Sequence, residues 1–183
     1  MSASALAAVD RPYITGITKD LVNIPSPTGQ EAAIAQYYAA SLRELGMEVE
    51  FQEVEADRPN VIARYRGSGG GKTVLLCGHF DTSTTPDDAL PGVGYSPNYV
   101  EEDRWAYGLG ISNMKNALAI YAGAVRAIID SRTHLKGNIV IGAEIGENEN
   151  PPVDKYKGKA YRGGGTGARY MLHHGVTADV CLD

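Results

Sequence analysis

Two short apolar runs, Thr73-Val-Leu-Leu-Cys77 and Asn138-Ile-Val-Ile-Gly142, constrain the fold of this chain more than any other feature. Neither alternates in polarity, so each reads as a strand covered on both faces. Between them Met114, Leu118, Ala122, Val125 and Ile129 recur at helical spacing. Covered strands separated by helices imply an α/β fold, with a mostly parallel central sheet and flanking helices.

The rest of the chain fits that plan. Ile14, Ile17, Leu21 and Val22 predict a helix from about Val9 to Asn23, ended by Pro25. Thr28 and Glu31 have the spacing of a capping box. Ile34, Tyr37, Tyr38, Leu42 and Leu45 form the next helical face, and Gly46 stops it. Residues 47–51 alternate as a half-buried strand, and residues 60–65 predict another. A long loop runs to about Trp105, and a second from about Asn148 to Gly165. A short helix from about Thr166 to His174 and a strand over 179–182 complete the pattern. No repeat or linker divides the 183 residues, so one domain is expected.

Composition narrows the function. Hydrophobic residues make up 43% and charged residues 21%, an ordinary globular balance. The net charge of -5 comes without a basic stripe, which argues against nucleic-acid binding. No apolar run reaches the roughly 18 residues of a membrane span, and the N-terminus lacks the basic and apolar regions of a signal peptide. Cys77 and Cys181 both lie in apolar runs and are expected to be buried thiols, as in a cytoplasmic protein.

Three segments could carry chemistry. His79 and Asp81 follow the first covered strand, where a histidine can bind a metal and a nearby carboxylate can orient its ring. Tyr107-Gly-Leu-Gly-Ile-Ser-Asn-Met-Lys-Asn116 is a glycine loop entering a helix, but it lacks the phosphate-loop pattern. Gly71-Lys72-Thr73 resembles the end of that pattern, yet Arg66 occupies its first glycine position and a strand follows. Glu144, Glu147 and Glu149 cluster after the second covered strand, and Asp183 ends the last one. Taken singly, each segment is also compatible with an ordinary loop. Together their positions at strand ends allow them to converge, as hydrolytic metal sites require. His173 and His174 are expected to cap a helix end, His134 to be solvated, Tyr37 and Tyr38 to be core, and Trp105 to pack or to line the cleft.

From about Tyr13 to Asp183 the chain resembles the zinc-dependent amidohydrolase and peptidase family of acetylornithine deacetylase, succinyl-diaminopimelate desuccinylase, aminoacylase and carboxypeptidase G. The resemblance is carried by Leu21-Val-Asn-Ile-Pro-Ser-Pro-Thr-Gly-Gln-Glu31, Arg58-Pro-Asn-Val-Ile62, Leu75-Leu-Cys-Gly-His-Phe-Asp-Thr82 and the glycine loop through Lys115. It implies hydrolysis of an amide or related C–N bond by water activated at two adjacent metal ions, usually zinc. The substrate it implies is small and carries a carboxylate. His79 then matches a metal ligand, Asp81 its supporting carboxylate, Glu147 the general base and Asp183 a further ligand.

Three positions depart from the family. Asn113 stands where a bridging Asp is usual, Asn148 where a ligating Glu follows the base, and Leu109 where an Arg is usual. Neutral amides hold divalent cations less strongly than carboxylates. One weakly bound ion, or none, is therefore expected at His79, Asp183, Asn113 and Asn148. The chain is also about half the family's length. It is expected to form the N-terminal half of a catalytic domain over residues 1–183, with no lid, completed by a second polypeptide in a hetero-oligomer. Two alternatives stay open: a non-catalytic subunit supporting an active partner, and a one-metal enzyme with altered C–N chemistry.

Overall fold

Asp10 starts the first long helix, because its carboxylate accepts the Tyr13 amide at 3.1 Å and Pro12 follows within the first turn. In the computed structural model, which describes residues 3–84, 88, 90–148 and 163–183, the helices are α1 (Ala3–Ala7), α2 (Arg11–Asn23), α3 (Ala32–Glu44), α4 (Asn116–Asp130) and α5 (Thr166–His173). The strands are β1 (Glu48–Glu55), β2 (Arg58–Tyr65), β3 (Val74–His79), β4 (Val100–Glu102), β5 (Trp105–Tyr107), β6 (Ile139–Glu144) and β7 (Val180–Leu182). Helix α1 is an addition to the expected elements.

Five strands form one sheet in the order β1-β2-β6-β3-β7. Strands β6, β3 and β7 are parallel, as two-sided apolar strands predict, while β1 and β2 add antiparallel pairings on one side. The sheet is therefore mixed, and its parallel part carries the strand ends that matter for chemistry. The tight β1–β2 turn permits the antiparallel pair, with Asp57 at φ 62 and its amide donating to Glu53. The expected loop up to Trp105 ends in the small β4–β5 hairpin, whose second strand starts at that residue.

The two faces of the sheet are covered unequally. Helices α2, α3 and α4 bury Leu21, Ile34, Tyr38, Leu42, Leu118 and Val125 against Val61, Ala63, Ile141 and Ala143. On the other face Met171 of α5 packs with Ile62, Leu75, Cys77 and Val140 in a smaller cluster. All three residues of β7 are exposed, including Cys181. Only Cys77 of the two thiols is buried, because an apolar run at the sheet's edge has no covering layer.

The expected capping box does not form. Glu31 turns instead to the fully buried Arg58, accepting from Nε at 2.9 Å and Nη2 at 2.7 Å, and also takes the Gly29 amide at 3.0 Å. A buried guanidinium outcompetes a backbone amide for a carboxylate because it forms two charge-assisted bonds. The pair fixes residues 25–29 against the end of β3, where Thr28 donates its amide to the Thr82 carbonyl and Thr82 its amide to the Ser26 carbonyl.

A second clamp sets the turn after β6. Asn60 donates to the Gly167 carbonyl at 2.9 Å and accepts the Ile145 amide at 3.0 Å. A Cβ on Gly167 would lie 2.5 Å from the Ile145 carbonyl oxygen and 2.6 Å from Asn60 Oδ1. Gly167→Ala is therefore expected to lower stability by about 1–3 kcal/mol. A urea midpoint equal to that of the parent would contradict this account of the clamp.

Candidate active site

The parallel register of β3 and β6 sets His79 directly beside Glu144. Both side chains reach the carboxyl ends of their strands, where the chain leaves the sheet toward Asp81 on one side and Glu147 on the other. The glycine loop supplies Asn113. Its Gly110 has φ 77, and the backbone turns there into the kinked segment Ile111–Lys115, in which Asn113 and Met114 are non-helical and joined by a cis peptide. Asp183 follows β7, the neighbour of β3.

His79 is buried between two oxygens. Its Nδ1 lies 3.0 Å from the Asp81 carbonyl oxygen and 3.5 Å from Asp81 Oδ1. Its Nε2 lies 3.0 Å from Asn113 Oδ1 and 3.8 Å from Glu147 Oε2. Burial pulls the imidazole pKa down, but the hydrogen bond and charge of Asp81, the Asn113 contact and the Glu147 charge outweigh it and raise it to about 9.

Asp81 is the most heavily bonded carboxylate of the site. It accepts from Thr28 Oγ1 at 2.7 Å, the Glu147 amide at 3.0 Å, the Asn148 amide at 3.1 Å and Asn148 Nδ2 at 2.8 Å. Burial alone would raise its pKa. The hydrogen bonds from His79, Asn148, Thr28 and the Glu147 amide overcome this and hold the carboxyl well below the usual range. Asp81 thus supports the imidazole with both its backbone oxygen and its carboxylate, and the carboxylate also organises the turn that carries Glu147.

Two cavities meet at His79 and Asn113. The smaller, of about 290 Å³, is walled by His79, Asn113, Met114, Glu144, Glu147 and Asp183. The larger, of about 510 Å³, runs along the glycine loop past Asp81 and Asn148. The Asn148 amide nitrogen is spent on Asp81, and the residue faces the larger cleft rather than the acidic cavity. Glu149 lies outside the described residues. Trp105 neither packs nor lines these cavities, since it is 70% exposed on the hairpin. His174 contacts the Tyr170 carbonyl at 2.8 Å and stacks on the Tyr170 ring, a structural role.

Two buried ionisable groups stand out. Lys115 Nζ donates to the Ile24 carbonyl at 2.9 Å, and burial lowers its pKa to about 7. Glu144 is 5% exposed, and its Oε2 has no hydrogen-bond partner. Burial raises its pKa; the nearby His79 opposes this, but Asp183, Asp81 and Glu147 add to it, and the value reaches about 8. A carboxyl raised from 4.5 to about 8 contributes stability that is complete below 4.5 and lost as pH rises through 8. His79 drifts in the same direction, so the test is a comparison. In metal-free protein, Glu144→Gln is expected to gain stability relative to the parent between pH 5 and pH 8.5. A difference in urea midpoint that is constant with pH would contradict it.

The donor chemistry sets what the site can hold. Asn113 is neutral and engaged with His79, and Asn148 is engaged with Asp81. The position matched to the family's bridging carboxylate holds the neutral Asn113, and an amide oxygen cannot bridge two cations as a carboxylate does. As the side chains lie, no three His, Cys, Asp or Glu among the described residues stand close enough to hold an ion. The orphaned Glu144 oxygen in an acidic cavity is what a single cation would satisfy. Thr28, Ser26 and Lys115 escaped sequence reasoning as site-shaping residues. The Pro-Thr-Gly loop was the available signal, but its contact partners are about fifty residues away or more.

Comparisons with known proteins address the family and the fold. No family model matches the chain. It is 30% identical to the succinyl-diaminopimelate desuccinylase of Gluconacetobacter diazotrophicus, over 97% of this chain and 43% of that protein. It is 36% identical to the Corynebacterium glutamicum desuccinylase over 68% of the chain and 31% of that protein. It is 34% identical to the acetylornithine deacetylase of Vibrio campbellii over 57% of the chain and 26% of that protein. The chain thus spans less than half the length of these curated relatives. Among solved structures, a Staphylococcus aureus tripeptidase superposes with TM-score 0.72 at 19% identity, covering 95% of this chain and 43% of that one. An M20 family metallo-carboxypeptidase from Sulfolobus solfataricus gives TM-score 0.58 at 22% identity, covering 76% of this chain and 31% of that one. Both share its fold. No described helix is long and apolar enough to cross a membrane.

Proposed function

For a chain that belongs to the family of succinyl-diaminopimelate desuccinylase and acetylornithine deacetylase, we propose a role as the N-terminal half of a metal-dependent hydrolase of amide or related C–N bonds. The observation that carries this reading is the gathering of His79, Asn113, Glu144, Glu147 and Asp183 around one cavity at the carboxyl ends of parallel strands.

Glu147 is the general base. Its side chain is 44% exposed and reaches toward His79 Nε2, at the mouth of the cavity. It takes a proton from the attacking water and passes it to the leaving amine. Asp81, fixed by Thr28 and by the amides of Glu147 and Asn148, holds both the base's backbone and the imidazole in place. A bound zinc ion, one rather than two, would be held at His79 and Asp183 and supplies Lewis acidity toward the scissile carbonyl. The substrate is a small N-acyl amine bearing a carboxylate. No Lys or Arg lines the described walls of either cavity. In this reading a second polypeptide completes the sheet and supplies the lid. Two unpaired thiols support a cytoplasmic setting.

The open arrangement of the donors favours a second reading, a non-catalytic subunit that supports an active partner. The deciding experiment uses protein purified from its source together with any polypeptide that accompanies it. The hydrolase reading expects a hetero-oligomer by native mass spectrometry and release of acetate or succinate from N-acyl amino acids. An assembly that cleaves none of these compounds would support the second reading.

A further inference from the structure

We propose that the larger cleft along the glycine loop is a pocket for an uncharged, apolar group of the substrate next to the scissile bond, with Leu109 as its specificity-determining residue. The inference rests on the hydrolase reading and names the substrate class for it.

The walls of this cleft differ from those of the acidic cavity. Tyr95, Ala106, Tyr107, Leu109 and Ile111 line it, and its surface is mostly apolar. Among the described residues, its ionisable groups other than tyrosine are His79 and Asp81, which belong to the site itself. Asp81 is already satisfied by Thr28, Asn148 and two backbone amides, so it offers little to a ligand. Leu109 is the most buried of the five apolar and aromatic residues, at 9% exposed. A charged group brought against it would be desolvated without a partner, whereas an apolar group gains from the same burial. The cleft measures about 510 Å³, room for a sizeable group, and an acetyl group would leave most of it empty.

The walls are tied to the rest of the fold at several points. The Leu109 amide donates to the Ser96 carbonyl at 2.7 Å, joining the glycine loop to the segment that carries Tyr95. The Tyr99 amide donates to Asn23 Oδ1 at 2.8 Å, which joins that segment to the end of α2. A Cβ on Gly108 would run into Val22 of the same helix, and one on Gly110 would lie 2.8 Å from Thr82 Cγ2. Lys115 adds a further tie through the Ile24 carbonyl. Walls held in this way bind an apolar group without the cost of ordering them. The cleft and the acidic cavity share His79 and Asn113, so a group in the cleft lies beside a bond held over that cavity. Two tyrosines on the walls favour an aromatic occupant.

The test uses the complete assembly purified from its source and two matched series of compounds. In one, alanine carries an acetyl, a phenylacetyl or a succinyl group. In the other, the acetyl group is constant and the amino acid is alanine, phenylalanine or aspartate. The series that varies the side of the bond facing the cleft is expected to favour its aromatic member in kcat/KM by roughly tenfold or more over both others. Leu109→Asn, close to leucine in size, should lower that ratio by roughly threefold or more. A second readout needs no turnover. Calorimetry should show phenylacetate binding more tightly than acetate, or phenylalanine more tightly than alanine, and the difference should shrink in Leu109→Asn. If that variant fails to fold, Ile111→Thr, at a half-buried position of the same wall, takes its place. Equal kcat/KM across both series, a preference for the succinyl or aspartate compound, no difference in binding between the probes, or a preference indifferent to the substitution would overturn the pocket. An assembly that cleaves none of the compounds but binds the aromatic probes in a Leu109-dependent way would overturn the hydrolase reading and leave the pocket standing.

Discussion

Glu147→Gln is expected to reduce hydrolysis by roughly 10²- to 10⁴-fold, the span that removal of a general base produces. The substitution keeps size and shape but abolishes the capacity to accept a proton. It should leave the fold intact for two reasons. The residue contributes to the site's framework through its backbone amide, which donates to Asp81, and that bond survives any side-chain change. The side chain itself is 44% exposed, so no buried charge is created or orphaned. A surface change of this kind alters stability by less than about 0.5 kcal/mol. The loss should fall on kcat with KM little changed, because a proton acceptor acts in the transition state rather than in ground-state binding. Activity equal to the parent's would remove Glu147 from the mechanism and shift weight to the non-catalytic reading.

Arg58→Leu should produce the largest loss of stability, about 3–5 kcal/mol. Arg58 and Glu31 are both 0% exposed. Removing the guanidinium leaves the Glu31 carboxylate buried with the Gly29 amide as its remaining partner among the bonds described. Arg58 also bonds Glu55 at 2.8 Å, so a second carboxylate loses its cation, although that one is part-exposed. The chemical logic predicts a partial rescue. Glu31→Leu combined with Arg58→Leu removes both charges and should recover part of the loss, a coupling readable as a double-mutant cycle. The effect should extend to the site, since the pair anchors the loop that brings Thr28 to Asp81. A destabilisation below about 1 kcal/mol, or a double variant weaker than Arg58→Leu alone, would show that the pair does not act as a buried unit.

Much of this architecture was legible in the residues. The runs at 73–77 and 138–142 identified two covered strands, because strands covered on both faces do not alternate in polarity, and the structure pairs them as parallel neighbours. The helical faces of α2, α3 and α4 followed from their apolar periodicity. The antiparallel side of the sheet did not, because strand direction is set by connection length and pairing rather than by composition. Thr28 and Glu31 show the same limit at the level of single residues. Their spacing is that of a local cap, but a buried Arg58 and a buried Asp81, distant in the chain, offered stronger partners.

The site divides along the same line. Local sequence determined which groups stand at strand ends: His79 at the end of β3 with Asp81 beyond it, Glu144 at the end of β6 with Glu147 beyond it, and Asp183 after β7. It also determined that positions 113 and 148 are neutral amides, which bounds the charge available to a metal whatever the fold. Only the tertiary structure decided how those groups are spent. It turned Asn148 onto Asp81, set Asn113 against His79, and buried Glu144 without a partner for one carboxylate oxygen. Identity and charge are properties of a residue, whereas burial and hydrogen-bond satisfaction are properties of what the rest of the chain places around it.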